Sequence, residues 1–124
     1  GHVRALEDAV AEMGRVLTAG GALVYSDFHP LGALAGWKRT FWTQGRQEYE
    51  VPHHVHLYED HHAACRSAGL MIEEVREPRI EPQHPWRGYP AVLIIRARKA
   101  RPAPGRRAGF DIPARADAGT EEGK

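Results

Sequence analysis

An amphipathic helix, a glycine pair and a short apolar run follow one another in residues 3–27, and this order constrains the fold more than any other feature. Apolar residues recur at three- and four-residue spacing from Val3 to Leu17 with charged residues between them, which predicts a helix over residues 3–17. Gly20 and Gly21 favour a left-handed C-cap and a tight turn. Residues 22–27, ALVYSD, are typical of a strand covered on both faces. The order is that of the second half of a βαβ unit and predicts an α/β fold.

Size and charge exclude several classes of protein. The 124 residues are enough for one domain. The 17 basic and 16 acidic side chains leave a formal net charge of +1, which does not favour nucleic acid or a membrane surface as a partner. The arginines of the C-terminal tail are balanced by acidic residues and are a weak indication of RNA or DNA binding. With no long apolar run, no signal-peptide pattern at the start and Cys65 as the one cysteine, we expect a cytoplasmic protein.

The rest of the chain alternates between strand-like and helix-like segments before a polar tail. The pattern predicts a hairpin, a helix ended by Gly69 and two strands. These segments are residues 39–42 with 48–51 for the hairpin, 58–68 for the helix, and 70–76 and 92–98 for the strands. Residues 99–124 are rich in Pro, Ala, Gly, Arg and Glu, so we expect a disordered tail after a domain of residues 1–98.

Residues 9–27, AVAEMGRVLTAGGALVYSD, resemble the E-x-x-RVL-x-x-GG-x-L-x-x-SD signature of S-adenosylmethionine-dependent methyltransferases with the Rossmann-like fold. The resemblance is to the type 11, ubiquinone/menaquinone-type group. It continues through LYED at residues 57–60 and AGL at residues 68–70, in the expected order, to Arg98. The family's sheet has seven strands, of which the last lies antiparallel between the fifth and sixth. The resemblance implies that residues 22–27, 70–76 and 92–98 are the fifth, sixth and seventh strands.

Two elements of the family are absent from this sequence: the glycine-rich loop after the first strand and the acidic residue that ends the second. Gly20 and Gly21 do not replace the loop because they follow a helix. The resemblance therefore implies the C-terminal half of the sheet, with three strands, two main helices and an inserted hairpin, and the missing initial methionine fits that interpretation. We expect the complete protein to use S-adenosylmethionine and this chain alone to be inactive, to bind the cofactor weakly or not at all, and to self-associate through an exposed strand edge.

In an open α/β sheet, ligands bind beyond the carboxyl ends of the parallel strands. His29 lies at that end of the first strand, and its ordinary pKa near 6.5 suits proton transfer at neutral pH; the alternative is that His29 only shapes the turn. The resemblance implies a substrate-covering insertion after it. The expected catalytic residues are His29 and His53, the substrate-binding residues Phe28, Trp37, Tyr49 and His54, and the cofactor neighbours Gly1 and His2. Hairpin packing alone would also explain the aromatic residues of the insertion.

A histidine-rich segment, residues 53–65, raises a different hypothesis. His61 and Cys65 would share one face of a helix, and imidazole and thiolate are zinc ligands. The same spacing also suits core packing, in which Cys65 is a small buried hydrophobe. No metal spacing of a known type accompanies the histidines, so we expect no metal. The alternative function is a non-enzymatic metal- or partner-binding module built on this cluster.

Overall fold

The computed structural model describes residues 1–103, which form a mixed α/β fold of three helices and five strands. In chain order these elements are α1 (Leu6–Val16), β1 (Ala22–Phe28), α2 (Pro30–Leu34), β2 (Thr40–Trp42), β3 (Glu48–Glu50), α3 (Tyr58–Ser67), β4 (Leu70–Arg76) and β5 (Val92–Lys99). The predicted helices, strands and hairpin are confirmed, with ends that differ by up to three residues. The short helix α2 was not predicted. Among residues 1–103, no helix is long and apolar enough to cross a membrane.

Strand order places the last strand in the middle of the main sheet. The order is β1-β5-β4, and β5 runs antiparallel to both neighbours. Ile95 of β5 pairs with Tyr25 on one side and with Val75 on the other. β1 and β4 therefore run parallel to each other, which confirms the predicted insertion of the last strand. β2 and β3 form a separate two-stranded hairpin.

The core lies on one face of the main sheet, under α1 and α3. Its buried residues include Val10 of α1, Cys65 of α3 and Ala97 of β5, each fully buried. On the opposite face Val24 is 63% exposed and Met71 is 67% exposed. The expectation that the first strand is covered on both faces is wrong for the described residues, because only α1 and α3 pack on the sheet and both lie on the same side.

The end of α1 differs from the prediction that the two glycines cap it. The helix ends at Val16, and Leu17 is already extended with φ −74° and ψ 141°. Gly20, with φ +78°, instead forms the turn into β1, where its N–H donates to the Lys99 carbonyl. The Lys99 ammonium donates to the carbonyl oxygens of Gly14 and Leu17, both at 2.7 Å, and so satisfies the C-terminal end of the helix.

Lys99 consequently belongs to the folded domain as the last residue of β5, although the sequence prediction assigned it to the tail. Ala100 also contacts the domain, because its N–H donates to the Gly69 carbonyl at 3.0 Å. Of the expected disordered tail, residues 101–103 are described and have no regular secondary structure, and residues 104–124 lie outside the described residues.

Candidate functional site

Several residues predicted for the site meet at the carboxyl end of β1, around Gly1. The Phe28 and His53 rings lie 5.4 Å apart between centroids. The Arg39 guanidinium stands over the Phe28 ring at 4.8 Å, a cation–π contact. A Cβ on Gly1 would lie 2.8 Å from Phe28 Cδ2 and 3.4 Å from His53 Nε2. The close approach of these side chains thus requires a residue without a side chain at position 1.

His2 adjoins this group from the solvent side. Its ring centroid is 6.0 Å from that of Phe28, and its Nδ1 lies 2.8 Å from Arg39 Nη2. His54 is held by its backbone, since its N–H donates to the Gly1 carbonyl at 3.2 Å. Five of the predicted residues therefore lie together around Gly1, namely Gly1, His2, Phe28, His53 and His54. Two more, His29 and Trp37, line the cavity beside Phe28 and His53.

A small cavity of about 100 Å³ lies beside Phe28 and His53. Trp37 and Arg39 also line it, and each carries a buried N–H group, Nε1 and Nη1 respectively, with no hydrogen-bond partner among the described residues. Trp37 is fixed by an edge-on contact with Trp86 at 5.5 Å. Gly32 makes room for the indole, because a Cβ there would lie 2.5 Å from Trp37 Cε3.

Tyr49 does not join this group. It lies opposite Phe41 in the hairpin, where the two rings stack at 5.5 Å, and it is 43% exposed. This arrangement matches the alternative interpretation, cross-strand packing within the hairpin. The predicted role of Tyr49 in substrate binding has no support from its position.

His29 is buried and both of its ring nitrogens have partners. Nδ1 accepts the Leu31 N–H at 3.2 Å, so the side chain caps the N-terminus of α2, and Pro30 at the first helical position favours that helix. Nε2 lies 3.0 Å from Glu77 Oε1. Since Nδ1 is an acceptor here, Nε2 carries the ring hydrogen and donates a hydrogen bond to Glu77 Oε1. In this arrangement His29 has no free lone pair with which to accept a proton, and its position fits a structural role.

His53 is better placed to accept a proton. It is half-buried and lines the small cavity. Burial lowers the pKa of its imidazole, and the positive charges of the Gly1 amine and Arg39 lower it further. The ring is therefore neutral at pH 7 and can act as an acceptor.

A second group of polar side chains lies on the helix-covered face of β1. Tyr25 Oη is 3.1 Å from Nδ1 of His61, a fully buried residue of α3, and 3.6 Å from Cys65 Sγ. Asp27 Oδ1 binds the Gly1 amine, and its Oδ2 lies 3.5 Å from His61 Nε2. That separation is long for a hydrogen bond, so the contact between His61 Nε2 and the carboxylate is a weak one.

The protonation states of this group follow from its surroundings. Burial raises the pKa of the Asp27 carboxyl, but His61, the Gly1 amine and the Phe28 N–H more than offset it, so the pKa lies well below its usual range. Burial, and then the contact with Cys65, raise the pKa of Tyr25 well above its usual range. Tyr25 is therefore the donor to His61 Nδ1, and Asp27 is a carboxylate at neutral pH.

Sequence reasoning did not find this network. Tyr25 and Asp27 are two residues apart on a strand, and His61 and Cys65 are four apart on a helix, so each pair shares a face. These spacings indicate which residues point together. They do not indicate that the two faces meet, which depends on the packing of α3 on β1.

A cavity of about 210 Å³ lies above this network, between α1 and the end of β1. Gly1 and His2, the expected cofactor neighbours, line it together with Asp27, Met13 and His56. Pockets for complete small-molecule ligands or cofactors measure roughly 300–1,000 Å³. This cavity is therefore too small for the whole of S-adenosylmethionine, and only a part of a molecule of that size could enter it.

The histidines of residues 53–65 point in different directions. His56 Nε2 binds the Val3 carbonyl at 2.7 Å, His61 lies in the core, and His62 is exposed beside Tyr58. Within residues 1–103, no group of three or more His, Cys, Asp or Glu side chains is arranged to hold a metal ion. His61 and Cys65 do share a helix face, as predicted, and both are buried in the core.

Comparison with known proteins identifies the fold. No protein-family model and no curated protein matches the sequence. Among solved structures, the chain is similar to a Listeria monocytogenes protein assigned by name to the S-adenosylmethionine-dependent methyltransferases, with a TM-score of 0.62 and 18% identity over 81% of this chain and 57% of that one. An S-adenosylmethionine-dependent methyltransferase from Mesorhizobium loti gives 0.58 and 16% over 79% and 57%. One from Methanosarcina mazei gives 0.56 and 14% over 78% and 52%.

These similarities show that this chain has part of the mixed α/β fold of those solved structures. The chain spans a little over half the length of these solved structures, between 52% and 57%. At such low identity the similarity concerns the fold alone.

Proposed function

We propose that this chain provides the substrate side of an S-adenosylmethionine-dependent methyltransferase that acts on a small molecule, of the type 11, ubiquinone/menaquinone-type group. The observation that carries the proposal is the sheet order β1-β5-β4 with an antiparallel middle strand, together with side chains gathered at the carboxyl end of β1. Open α/β sheets bind ligands at that end.

Methyl transfer from a sulfonium is an in-line displacement, so the protein must orient the acceptor, exclude water and, where needed, remove a proton from it. Phe28 and Trp37 provide apolar walls for the small cavity, and His53 presents a neutral imidazole to it. His29, which caps α2 and binds Glu77, holds the turn after β1 in place. We assign proton removal to His53 and positioning to His29.

The cofactor would supply the methyl group and would contact Gly1 and His2. Because the cavity beside these residues holds only part of a cofactor of this size, we propose that the 124-residue chain alone binds it weakly or not at all. Calorimetry that found tight binding of S-adenosylmethionine at one site of this chain would contradict this part of the proposal.

Methyl transfer itself is tested on the longest reading frame that contains residues 1–124. That protein is incubated with S-adenosylmethionine carrying a tritiated methyl group and a small-molecule extract of the host, and labelled products are separated by chromatography. We expect a labelled product that is lost in His53→Ala and retained in His62→Ala, whose ring is exposed beside Tyr58 on α3. No labelled product with the unsubstituted protein would overturn the proposal.

We also propose that the chain associates with itself or with a partner through β1. In the described residues β1 is an edge strand, and the sheet face that carries Val24 is exposed. Size-exclusion chromatography with light scattering is expected to give a species larger than a monomer. A stable, compact monomer would contradict it.

The alternative function, a metal- or partner-binding module, rests on the histidine-rich segment, whose side chains diverge in the structure. Zinc that remains at one equivalent after dialysis of the purified chain would favour it over the methyltransferase.

A further inference from the structure

Two buried hydrogen-bond donors without partners line the same small cavity. Trp37 Nε1 and Arg39 Nη1 are both shielded from solvent and have no acceptor among residues 1–103. Buried polar groups in native proteins almost always have a partner, and an exception calls for an explanation. Two such donors at one cavity indicate a place for an acceptor that residues 1–103 do not provide.

The guanidinium is held in position by other contacts. It lies 4.8 Å above the Phe28 ring, and its Nη2 is 2.8 Å from His2 Nδ1. None of the ion pairs formed within the described part of the chain includes Arg39. Its positive charge is therefore fixed at the cavity without a carboxylate beside it.

The remaining lining favours an anion. Within the described part of the chain it contains no acidic side chain, and it includes Lys38, whose ammonium contacts Glu50 at 3.1 Å. His53, also in the lining, has a lowered pKa partly because Arg39 is near. At His53 the positive charges of the Gly1 amine and Arg39 outweigh the opposing charge of Asp27, and of these three groups only Arg39 lines the cavity.

From this combination we infer that the cavity binds a carboxylate, held by Arg39 Nη1 and Trp37 Nε1. Guanidinium groups bind carboxylates through short, charge-assisted hydrogen bonds, and an indole N–H adds a neutral donor. The volume of about 100 Å³ corresponds to roughly three water molecules, which is enough for a carboxylate and a few adjoining atoms. If the proposed function holds, the methyl acceptor is a carboxylic acid whose acid group enters here, while His53 faces the rest of the molecule.

The test uses the indole N–H resonances of the ¹⁵N-labelled 124-residue chain, which contains three tryptophans. Trp37→Phe assigns one of them. We expect acetate and propionate, at constant pH and ionic strength, to shift the Trp37 resonance in a saturable manner. Acetamide, which has the same shape and no charge, should leave it unchanged, as should chloride at matched concentration. The Trp42 resonance, from the exposed hairpin, provides an internal control.

Substitutions then locate the site. Arg39→Gln should weaken acetate binding by about tenfold or more, and Arg39→Lys should restore it only in part because it lacks the planar fork. Arg46→Gln, in the exposed turn of the hairpin, should leave it unchanged. Equal shifts with acetate and acetamide, or equal weakening by the two glutamine substitutions, would overturn the inference. The comparison of acetate with acetamide needs no variant, so it stands even if Arg39→Gln fails to fold.

The two proposals can fail separately. Saturable acetate binding without methyl transfer in the longer protein would support the carboxylate site and contradict the proposed function. Methyl transfer by the longer protein, with no shift of the Trp37 resonance on addition of carboxylates, would support the proposed function and contradict the carboxylate site.

Discussion

The hydrogen bond between Tyr25 and His61 should contribute measurably to stability, because its acceptor is completely buried. Tyr25→Phe removes the hydroxyl that lies 3.1 Å from His61 Nδ1. The lost bond costs about 1 kcal/mol, and the buried nitrogen left without a donor costs about 1 kcal/mol more. We therefore expect Tyr25→Phe to lower the free energy of unfolding by about 2 kcal/mol. Tyr49→Phe, on an exposed ring of the hairpin, should change it by less than about 0.5 kcal/mol.

The partner substitution completes a double-mutant cycle. His61→Leu leaves the Tyr25 hydroxyl with only the long 3.6 Å contact to Cys65 Sγ, and should cost about 2–3 kcal/mol. The double variant lacks both the Tyr25 hydroxyl and the His61 imidazole, so neither group is buried without a hydrogen-bond partner. The double variant should then be about 1–2 kcal/mol more stable than the sum of the two single changes predicts.

Urea unfolding at pH 7, followed by far-ultraviolet circular dichroism, measures the four proteins of the cycle and the control Tyr49→Phe. A small domain has a total stability of about 5–15 kcal/mol, so differences of this size are resolved and the double variant remains folded. Additive effects within about 0.3 kcal/mol would refute the assignment of a hydrogen bond, as would equal effects of Tyr25→Phe and Tyr49→Phe.

Three further outcomes can be measured on the same chain. The pKa of Asp27 is lower in the folded chain than in the unfolded one, so its contribution to stability is present above about pH 4 and is lost as the pH falls. In unfolding curves at several pH values, the free energy of unfolding of Asp27→Asn should therefore fall less steeply with decreasing pH than that of the unsubstituted chain. Gly69 has φ +69° and no neighbouring atom near a Cβ, so Gly69→Ala should cost about 1 kcal/mol through the backbone alone, measured by the same urea titration. Burial raises the pKa of the Cys65 thiol, so the dithiobis(nitrobenzoate) reagent should react slowly with the native chain at pH 8 and rapidly in urea; fast native reaction would contradict the buried placement.

Local sequence patterns were sufficient for the strands and for helices α1 and α3. Each of these elements packs against one neighbouring layer, and that packing requires apolar residues at regular positions. The sequence therefore shows the pattern directly, in the apolar spacing from Val3 to Leu17 and in the short apolar run at residues 22–27. The antiparallel position of β5 between β1 and β4 did not come from such a pattern. It came from the resemblance to a family, because strand order is a property of the whole sheet.

Features that depend on distant residues could not be predicted in this way. Helix α2 is only five residues long, too short for a periodic pattern, and its N-cap is His29 rather than one of the usual capping residues. The end of α1 is satisfied by Lys99, more than 80 residues away in the sequence. Similarly, His29 was a reasonable candidate for a base by residue type and position, but its partner Glu77 is 48 residues away.

The alternation of side chains along β1 explains why the candidate site consists of two cavities. Asp27 points to the helix-covered face, where it meets His61, and Phe28 points to the opposite side, where it meets His53 and Arg39. Consecutive residues of one strand therefore line different cavities, of about 210 and 100 Å³. Gly1 touches both groups, through its amine on Asp27 and its α-carbon beside Phe28. A side chain at position 1 would lie 2.8 Å from Phe28 and 3.4 Å from His53, so it would displace two residues that line the smaller cavity.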